Sequence, residues 1–335
     1  MKGKSRKSSR FRAAIVGVSG YGGGEALRIL AHHPSIEVVK VAGESSAGQV
    51  LGDRFPGLPP EIGNLRIESW EPSQLDDIDL LVASLPSGDS SSALARVPAH
   101  VRVVDIGGDH RFKPGWTYGL ADLFADEIAS STRVANPGCY PSAALLALAP
   151  LLRDGLVDPS TLLIDAKSGI SGAGRGGGST FGFAEVNEDV TAYGLLRHPH
   201  STEIDQAIQK IVHSDTATGR GVVFTPHLVP MTRGILATCY ARGTASTADC
   251  MASAMRLFRD SPFVRVSEQP PHTKWAYGAN FAFVSYAADP DRGVVIALCA
   301  IDNLGKGAAG QAVQNANLML GLPCDAGLLG APVRP

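Results

Sequence analysis

Phe11-Arg-Ala-Ala-Ile-Val-Gly17-Val-Ser-Gly20-Tyr-Gly-Gly23 is the stretch that decides the fold of this 335-residue chain. It opens as an apolar strand and runs into a glycine turn of spacing G-x-x-G-x-x-G, where the usual dinucleotide fingerprint is G-x-G-x-x-G. Beyond the turn, Glu25-Ala-Leu-Arg-Ile-Leu-Ala-His32 carries apolar residues at 26, 27, 29 and 30, one face of a helix, and Ile36–Ala42 reads as a second strand. A strand, a tight turn and a helix in that order offer unpaired N–H groups and the positive end of a helix dipole to an anion. Gly17, Ser19, Gly20, Tyr21, Gly22 and Gly23 are therefore expected to hold a dinucleotide pyrophosphate. Just past the second strand, Glu44 is placed to bond a ribose 2′-hydroxyl, as in NAD sites, while Ser45 and Ser46 are placed to receive the 2′-phosphate of NADP. The residues alone leave that choice open. Ser84 and Pro86, in Ser84-Leu-Pro-Ser87 at the end of an expected strand over 80–85, are expected on the nicotinamide side.

Further strands over 80–85 and 101–106, with a helix over 91–96 between them, continue the alternation of a parallel sheet covered by helices. After residue 140 the pattern changes. Strands over 161–167, 222–225, 234–242, 281–286 and 294–301 occur with helices only near 201–213 and 247–259, which predicts a mixed or antiparallel α+β half. A last helix over 306–320 carries Ala309, Ala312, Val313, Ala316 and Leu320 on one face and stops at Gly321 and Pro323. The fold class is thus α/β, a Rossmann-type domain joined to an α+β catalytic domain.

Thirty basic and thirty-two acidic side chains give a net charge of −2, which provides no global field for nucleic acid or a membrane surface. No apolar run approaches the roughly 18 to 20 residues of a membrane span. A small-molecule substrate is expected. Five scattered cysteines without a C-x-x-C pair predict neither a disulfide framework nor a zinc site, no metal is expected, and a reducing cytoplasm is the natural compartment. The basic, serine-rich residues 1–11 are expected to be a disordered tail.

The chemistry is expected at Asn136-Pro-Gly-Cys-Tyr-Pro141, which sets Cys139 at the mouth of an apolar helix. Unpaired N–H groups and the helix dipole stabilise thiolate there, so the thiol is expected to titrate below its ordinary value and to be anionic at neutral pH. His198-Pro-His200, on a loop ahead of a helix, supplies imidazoles as general acid/base, with only one of them expected to address the sulfur. Backbone N–H groups near Cys139 and the Asn136 side chain are expected to stabilise an oxyanion. Arg111, and Arg175 in the glycine-rich segment 169–178, are candidates for anion recognition through the planar guanidinium fork.

Gly17-Val-Ser-Gly-Tyr21, Asn136-Pro-Gly-Cys-Tyr-Pro141, Asp165-Ala-Lys-Ser-Gly-Ile-Ser-Gly-Ala-Gly-Arg175, Phe224-Thr-Pro-His-Leu-Val-Pro-Met-Thr-Arg-Gly-Ile235, Ala300-Ile-Asp-Asn-Leu304 and Lys306-Gly-Ala-Ala-Gly-Gln-Ala-Val-Gln314 together resemble the N-acetyl-γ-glutamyl-phosphate reductase family, in the family's order and over about residues 12–328. The resemblance implies NADPH, or NADP(H) in either direction, as cofactor, and an acyl-phosphate substrate reduced to a semialdehyde through a thioester on Cys139. It also implies a place in arginine biosynthesis, a homodimer or homotetramer, and a last helix that returns to the nucleotide domain. The domains are then 12–140 with 303–335 for the nucleotide, and 141–302 for catalysis and oligomerisation. Cys139 matches the family's nucleophile, and His198 and His200 match its two histidines. The same motifs imply cofactor contact at Asn303 and substrate contact at Arg111, Lys167, Ser168, Gly169, Arg175 and Glu203. Pro199 and Thr202 stand where the family has arginine and proline, Gly107-Gly-Asp-His-Arg111 stands for S-A-D-F-R, a segment common between residues 113 and 118 is absent, and Ala279 replaces a threonine. Two other activities fit the same residues: reduction of a carrier-linked α-aminoadipyl phosphate, and nucleotide binding without turnover.

Overall fold

The computed structural model describes residues 10–175, 181–215, 218, 219 and 221–333. Residues 1–9 of the expected tail and 176–178 of the glycine-rich segment lie outside them. The first sheet holds β1 (Phe11–Val16), β2 (Ile36–Ala42), β3 (Ile67–Glu68), β4 (Leu80–Ala83), β5 (Arg102–Asp105), β6 (Thr117–Tyr118) and β7 (Arg133–Ala135). Their order is β3-β2-β1-β4-β5-β7-β6, and every pairing is parallel. Strand order reverses between β1 and β4, so the crevice at their carboxyl ends is the topological switch point where such sheets bind ligands. The central strands are buried on both faces, Leu80–Ala83 throughout, as their unbroken apolar runs require.

The second sheet holds β8 (Asp158–Ser168), β9 (Thr191–Ala192), β10 (Val223–Leu228), β11 (Ile235–Arg242), β12 (Val264–Val266), β13 (Ala282–Asp289) and β14 (Val294–Ile301), in the order β12-β13-β14-β11-β8-β10-β9. It is mixed: β8 runs parallel to β10 and antiparallel to β11. Its strands alternate, with Ile164, Cys239 and Ala297 buried on one face and Leu163 and Tyr240 on the other. The long helices are α1 (Tyr21–Leu30), α2 (Ala121–Ala129), α3 (Cys139–Arg153), α4 (His200–Val212), α5 (Thr247–Leu257) and α6 (Gly310–Met319).

Helix α3 is buried from Tyr140 to Leu152 without a break, the condition of a helix apolar all round. It lies between α4, α5 and the covered face of the second sheet, and Tyr286 on β13 donates to the Ala147 carbonyl at 3.1 Å. The segment 306–320 differs from its expectation in one respect: a π-turn, Gly305–Ala309, precedes α6. Inside that turn Lys306 is fully buried, paired with Asp122 of α2 and bonded to Gln314 at 2.6 Å. Helix α6 packs on α1, α2 and β5, and Gln311 and Asn315 both donate to the Gly119 carbonyl, at 3.0 and 2.8 Å. The end of the chain thus returns to the first sheet.

Candidate active site

The turn after β1 is held too tightly for side chains. Gly17 has φ +79°, and a Cβ built on it would lie 2.0 Å from the Ser84 carbonyl oxygen; one on Gly23 would lie 2.2 Å from the Gly17 oxygen. The Gly20 N–H donates back to Gly17 at 3.1 Å, and α1 starts at once with no side-chain cap, leaving its first N–H groups facing the crevice. A cleft of about 1180 Å³ runs from there to Cys139. Gly17, Ser19, Gly20, Tyr21, Gly22, Ser45, Ser84, Pro86 and Asn303 line it. Gly23 and Ser46 do not: Gly23 is packed inside the turn, and Ser46 is buried with its hydroxyl on that of Ser19. Glu44 also lines the cleft, with Oε1 accepting from the Trp70 N–H at 2.9 Å. Sequence reasoning missed Arg54, which lines the same end and whose buried Nε has no hydrogen-bond partner among the described residues. It lies in Val50-Leu-Gly-Asp-Arg54-Phe-Pro56, and no motif marks it.

At the other end Cys139 is the first residue of α3, lines the cleft and is partly exposed. His200, the first residue of α4, has its ring against Gly138, the residue before Cys139: a Cβ built on Gly138 would lie 2.4 Å from His200 Nε2. His200 lines the cleft and His198 does not. The His200 N–H donates to His198 Nδ1 at 3.2 Å, and the His198 ring lies edge-on to Tyr140, Tyr193 and Phe224. His198 therefore holds the loop while His200 meets the thiol region. Burial, with Arg111 and His198 nearby, pulls the His200 pKa well below its ordinary value, so the ring is neutral at neutral pH.

The expected thiolate is not the resting state. Burial pushes the Cys139 thiol up to about 11, outweighing the Arg111 charge and the backbone N–H groups of Tyr140 and Cys139 that pull it down. A helix N-terminus supplies only a fraction of a charge, and here it is set against desolvation of the whole thiolate.

Several side chains expected at the ligand are committed to the protein instead. Asn136, fully buried, donates from Nδ2 to the Pro137 and Ala308 carbonyls and accepts at Oδ1 from Asn315, so neither amide hydrogen faces an oxyanion. Glu203, buried, accepts from Tyr118 Oη and the Gly138 N–H, both at 2.8 Å, and pairs with Arg111 Nη1 at 2.8 Å. Arg111 lines the cleft, but its Nε and Nη2 also bond the Asn136 and Ile106 carbonyls. Together Arg111 and Glu203 clamp the loop that carries Cys139. Lys167 lies outside the cleft, paired with Asp165 at 2.5 Å, because alternate residues of β8 point away from the helix-covered face. Ser168 and Gly169 lie behind the loop rather than on its surface: Ser168 Oγ donates to the Gly169 carbonyl, and the Gly169 N–H to Gly234. The loop they carry, Ser171 to Arg175, does line the cleft, and Arg175 sits over the Tyr21 ring at 5.0 Å. Asn303 ties that loop down, accepting from the Gly234 N–H at 2.7 Å and donating to Ser171 Oγ at 2.9 Å. Arg233 bridges α1 and the second sheet, paired with Glu25 at 2.7 Å and Asp302 at 3.0 Å.

A glycine turn at a switch point and a cysteine with a neutral imidazole, on one cleft, are the parts of an enzyme that reduces an acyl carbon. The chain matches the family model for the semialdehyde dehydrogenase NAD binding domain over residues 12–131 and that for the semialdehyde dehydrogenase dimerisation domain over 139–303. In fold it is similar to aspartate semialdehyde dehydrogenase II of Vibrio cholerae, at TM-score 0.76 and 19% identity over 93% of this chain and 99% of that one. It is likewise similar to the NADP-bound aspartate semialdehyde dehydrogenase of Candida albicans, at TM-score 0.73 and 15% identity over 93% and 99% of the two chains. In sequence it is 64% identical to the N-acetyl-gamma-glutamyl-phosphate reductase of Bradyrhizobium sp. BTAi1 over 97% of this chain and 99% of that protein. It is 60% identical to that of Methylobacterium sp. 4-46, with the same coverage. The chain belongs to the N-acetyl-gamma-glutamyl-phosphate reductase family.

Proposed function

We infer that the chain catalyses the NADPH-dependent reduction of N-acetyl-γ-glutamyl phosphate to N-acetylglutamate semialdehyde, with release of inorganic phosphate, in arginine biosynthesis. The observation that carries the reading is Cys139 at the head of α3, beside neutral His200, on the wall of the cleft that the glycine turn opens. The residues present fit a nicotinamide dinucleotide: Gly17 leaves no room for a Cβ, and Arg54 lines the end of the cleft beside Glu44 and Ser45.

His200 takes the Cys139 proton as the sulfur attacks the acyl carbon. The C–S bond forms, the C–O bond to phosphate breaks, and a thioester remains on Cys139. Backbone N–H groups of the first turn of α3 stabilise the oxyanion in place of Asn136. NADPH, when bound, supplies the hydride that reduces the acyl carbon. The His200 imidazolium then returns its proton as the Cys139 sulfur is released with the aldehyde. Arg111 contributes its charge across the cleft while clamped to Glu203, and Arg175 is the cleft cation we assign to an anionic group of the substrate.

We assign residues 12–140 and 303–335 to the nucleotide domain and 141–302 to catalysis and oligomerisation, on the packing of α6 against α1 and α2. A homo-oligomer built on the uncovered face of the second sheet follows from the match of this half to a dimerisation domain and from the apolar row on that face. All five cysteines are unpaired, which suits the cytoplasm. Among the described residues no helix is long and apolar enough to cross a membrane.

The test is the reverse reaction. Purified protein with N-acetylglutamate semialdehyde, phosphate and NADP should form NADPH at a rate that depends on phosphate. Absence of turnover, or preference for a carrier-linked aminoadipate semialdehyde, overturns the assignment.

A further inference from the structure

Arg233, in the turn 229–234 between β10 and β11, holds two acids at once. Its Nη2 and Nη1 bond Glu25 of α1 at 2.7 and 3.2 Å, while Nε and Nη2 bond Asp302 Oδ1 at 3.2 and 3.0 Å. Two edges of one planar guanidinium are thus used, each against a carboxylate, and a lysine ammonium offers no such pair of forks. Glu25 and Asp302 are buried, and the Arg233 side chain is 15% exposed. A desolvated ion cluster gives little stability over apolar packing. Its directionality is what a site can use.

Each partner belongs to a different wall of the cleft. Glu25 lies on α1, which begins at Tyr21 in the glycine turn. Asp302 Oδ1 also accepts from the Leu304 and Gly305 N–H groups, at 2.8 and 2.9 Å, and so opens the π-turn, in which a Cβ built on Gly307 would lie 2.9 Å from Cys139 Cβ. The backbone around Arg233 carries the third wall: the N–H groups of Gly169, Ile170 and Ser171 donate to the carbonyls of Gly234, Met231 and Thr232, at 2.9, 2.9 and 3.1 Å. One side chain therefore ties together the dinucleotide helix, the turn packed on the nucleophile and the loop that runs to Arg175. Among the described residues none of 229–235 lines the cleft, so Arg233 acts through what it holds.

We propose that Arg233 is a positioning residue for hydride transfer, fixing α1 and the dinucleotide on it against the acyl carbon on Cys139. This rests on the thioester reading of the cleft. The test is the first turnover of the reverse reaction with phosphate left out. Cys139 sulfur adds to N-acetylglutamate semialdehyde, the C–H of the adduct passes as hydride to NADP, and its hydroxyl proton leaves through His200. One NADPH per site forms, and the thioester remains. In stopped flow, Arg233→Lys and Glu25→Gln should each slow this burst by about 10- to 100-fold, the cost of a small misplacement of reacting groups. The double variant should be no slower than the slower single one, since both remove the same contact. NADP affinity by calorimetry and Cys139 alkylation by iodoacetamide should stay as in the wild type, which also shows the variants to be folded. Hydrogen exchange gives a readout apart from turnover: NADP should slow it at 17–25 in every form, and at 229–235 in the wild type alone. An unslowed burst in both single variants, retained protection at 229–235 in both, or loss of NADP binding and alkylation in step with the burst overturns the proposal. A wild type that binds NADP and shows no burst overturns the thioester reading itself.

Discussion

At Cys139 two effects of opposite sign meet, and burial wins. With the thiol raised to about 11, the free protein at neutral pH holds sulfur and imidazole both uncharged, and attack requires proton transfer to His200 at that moment. The raised value favours the protonated form, so the thiolate fraction grows about tenfold per pH unit up to its pKa. Alkylation of Cys139 by iodoacetamide should therefore keep rising from pH 7 to beyond pH 9. A rate that levels off below pH 8 would show a thiolate already present and would restore the helix dipole as the dominant influence. Cys139→Ser should bind NADPH normally and lose turnover. His200→Asn, which removes the basic ring nitrogen, should lower kcat/KM by about 10²- to 10⁴-fold. The same change at His198 should cost less, because that ring faces Tyr140 and Phe224 and not the cleft.

At the scale of elements, α4 carries the site's geometry. It brings His200 to Gly138 and, one turn later, Glu203 to the Gly138 N–H, so base and nucleophile loop are fixed by a single helix. The Arg111–Glu203 pair that completes this clamp is buried, where removing one partner leaves an uncompensated charge. Glu203→Leu alone should lose about 3–5 kcal/mol in urea unfolding, and the pair Arg111→Met with Glu203→Leu should recover only the part due to the unpaired guanidinium, because the Tyr118 hydroxyl and the Gly138 N–H stay without their acceptor. A single variant as stable as the wild type would show that the clamp does not hold the loop. Cys139 and the two histidines were legible in the sequence because their chemistry is local, a cysteine before an apolar helix and imidazoles before an amphipathic one. Glu203 was not, since its partners lie 65, 85 and 92 residues away and nothing local distinguishes an acid for a ligand from an acid for a backbone N–H. The long strands β1, β2, β8, β11, β13 and β14 were legible from their apolar runs. The two-residue strands β3, β6 and β9 have no such run, and α2, kinked at Phe124, has no unbroken helical stripe to read.

For the whole molecule, the second sheet is covered on one side only. Register places Val223 beside Leu163, Leu163 beside Tyr240, Tyr240 beside Ile296 and Ile296 beside Ala287, a row crossing five strands on the face away from α3. Leu163, Val223 and Tyr240 are 49, 43 and 38% exposed, in line along that row. Contiguous exposed apolar side chains are uncommon on monomers and mark association surfaces. A two-fold axis through such a face would pair each row with its own copy. The occupant we assign is a second copy of this chain, since the half that carries the row matches a dimerisation domain. Leu163 lies between Val223 and Tyr240 in that row, and a charge placed there would be buried twice in a symmetric dimer, without a partner. Leu163→Asp should thus shift sedimentation from dimer or higher to monomer, while NADPH binding, which uses the first sheet, persists. A Leu163→Asp protein that stays associated at micromolar concentration would move the interface to another surface and leave this face without an assigned partner.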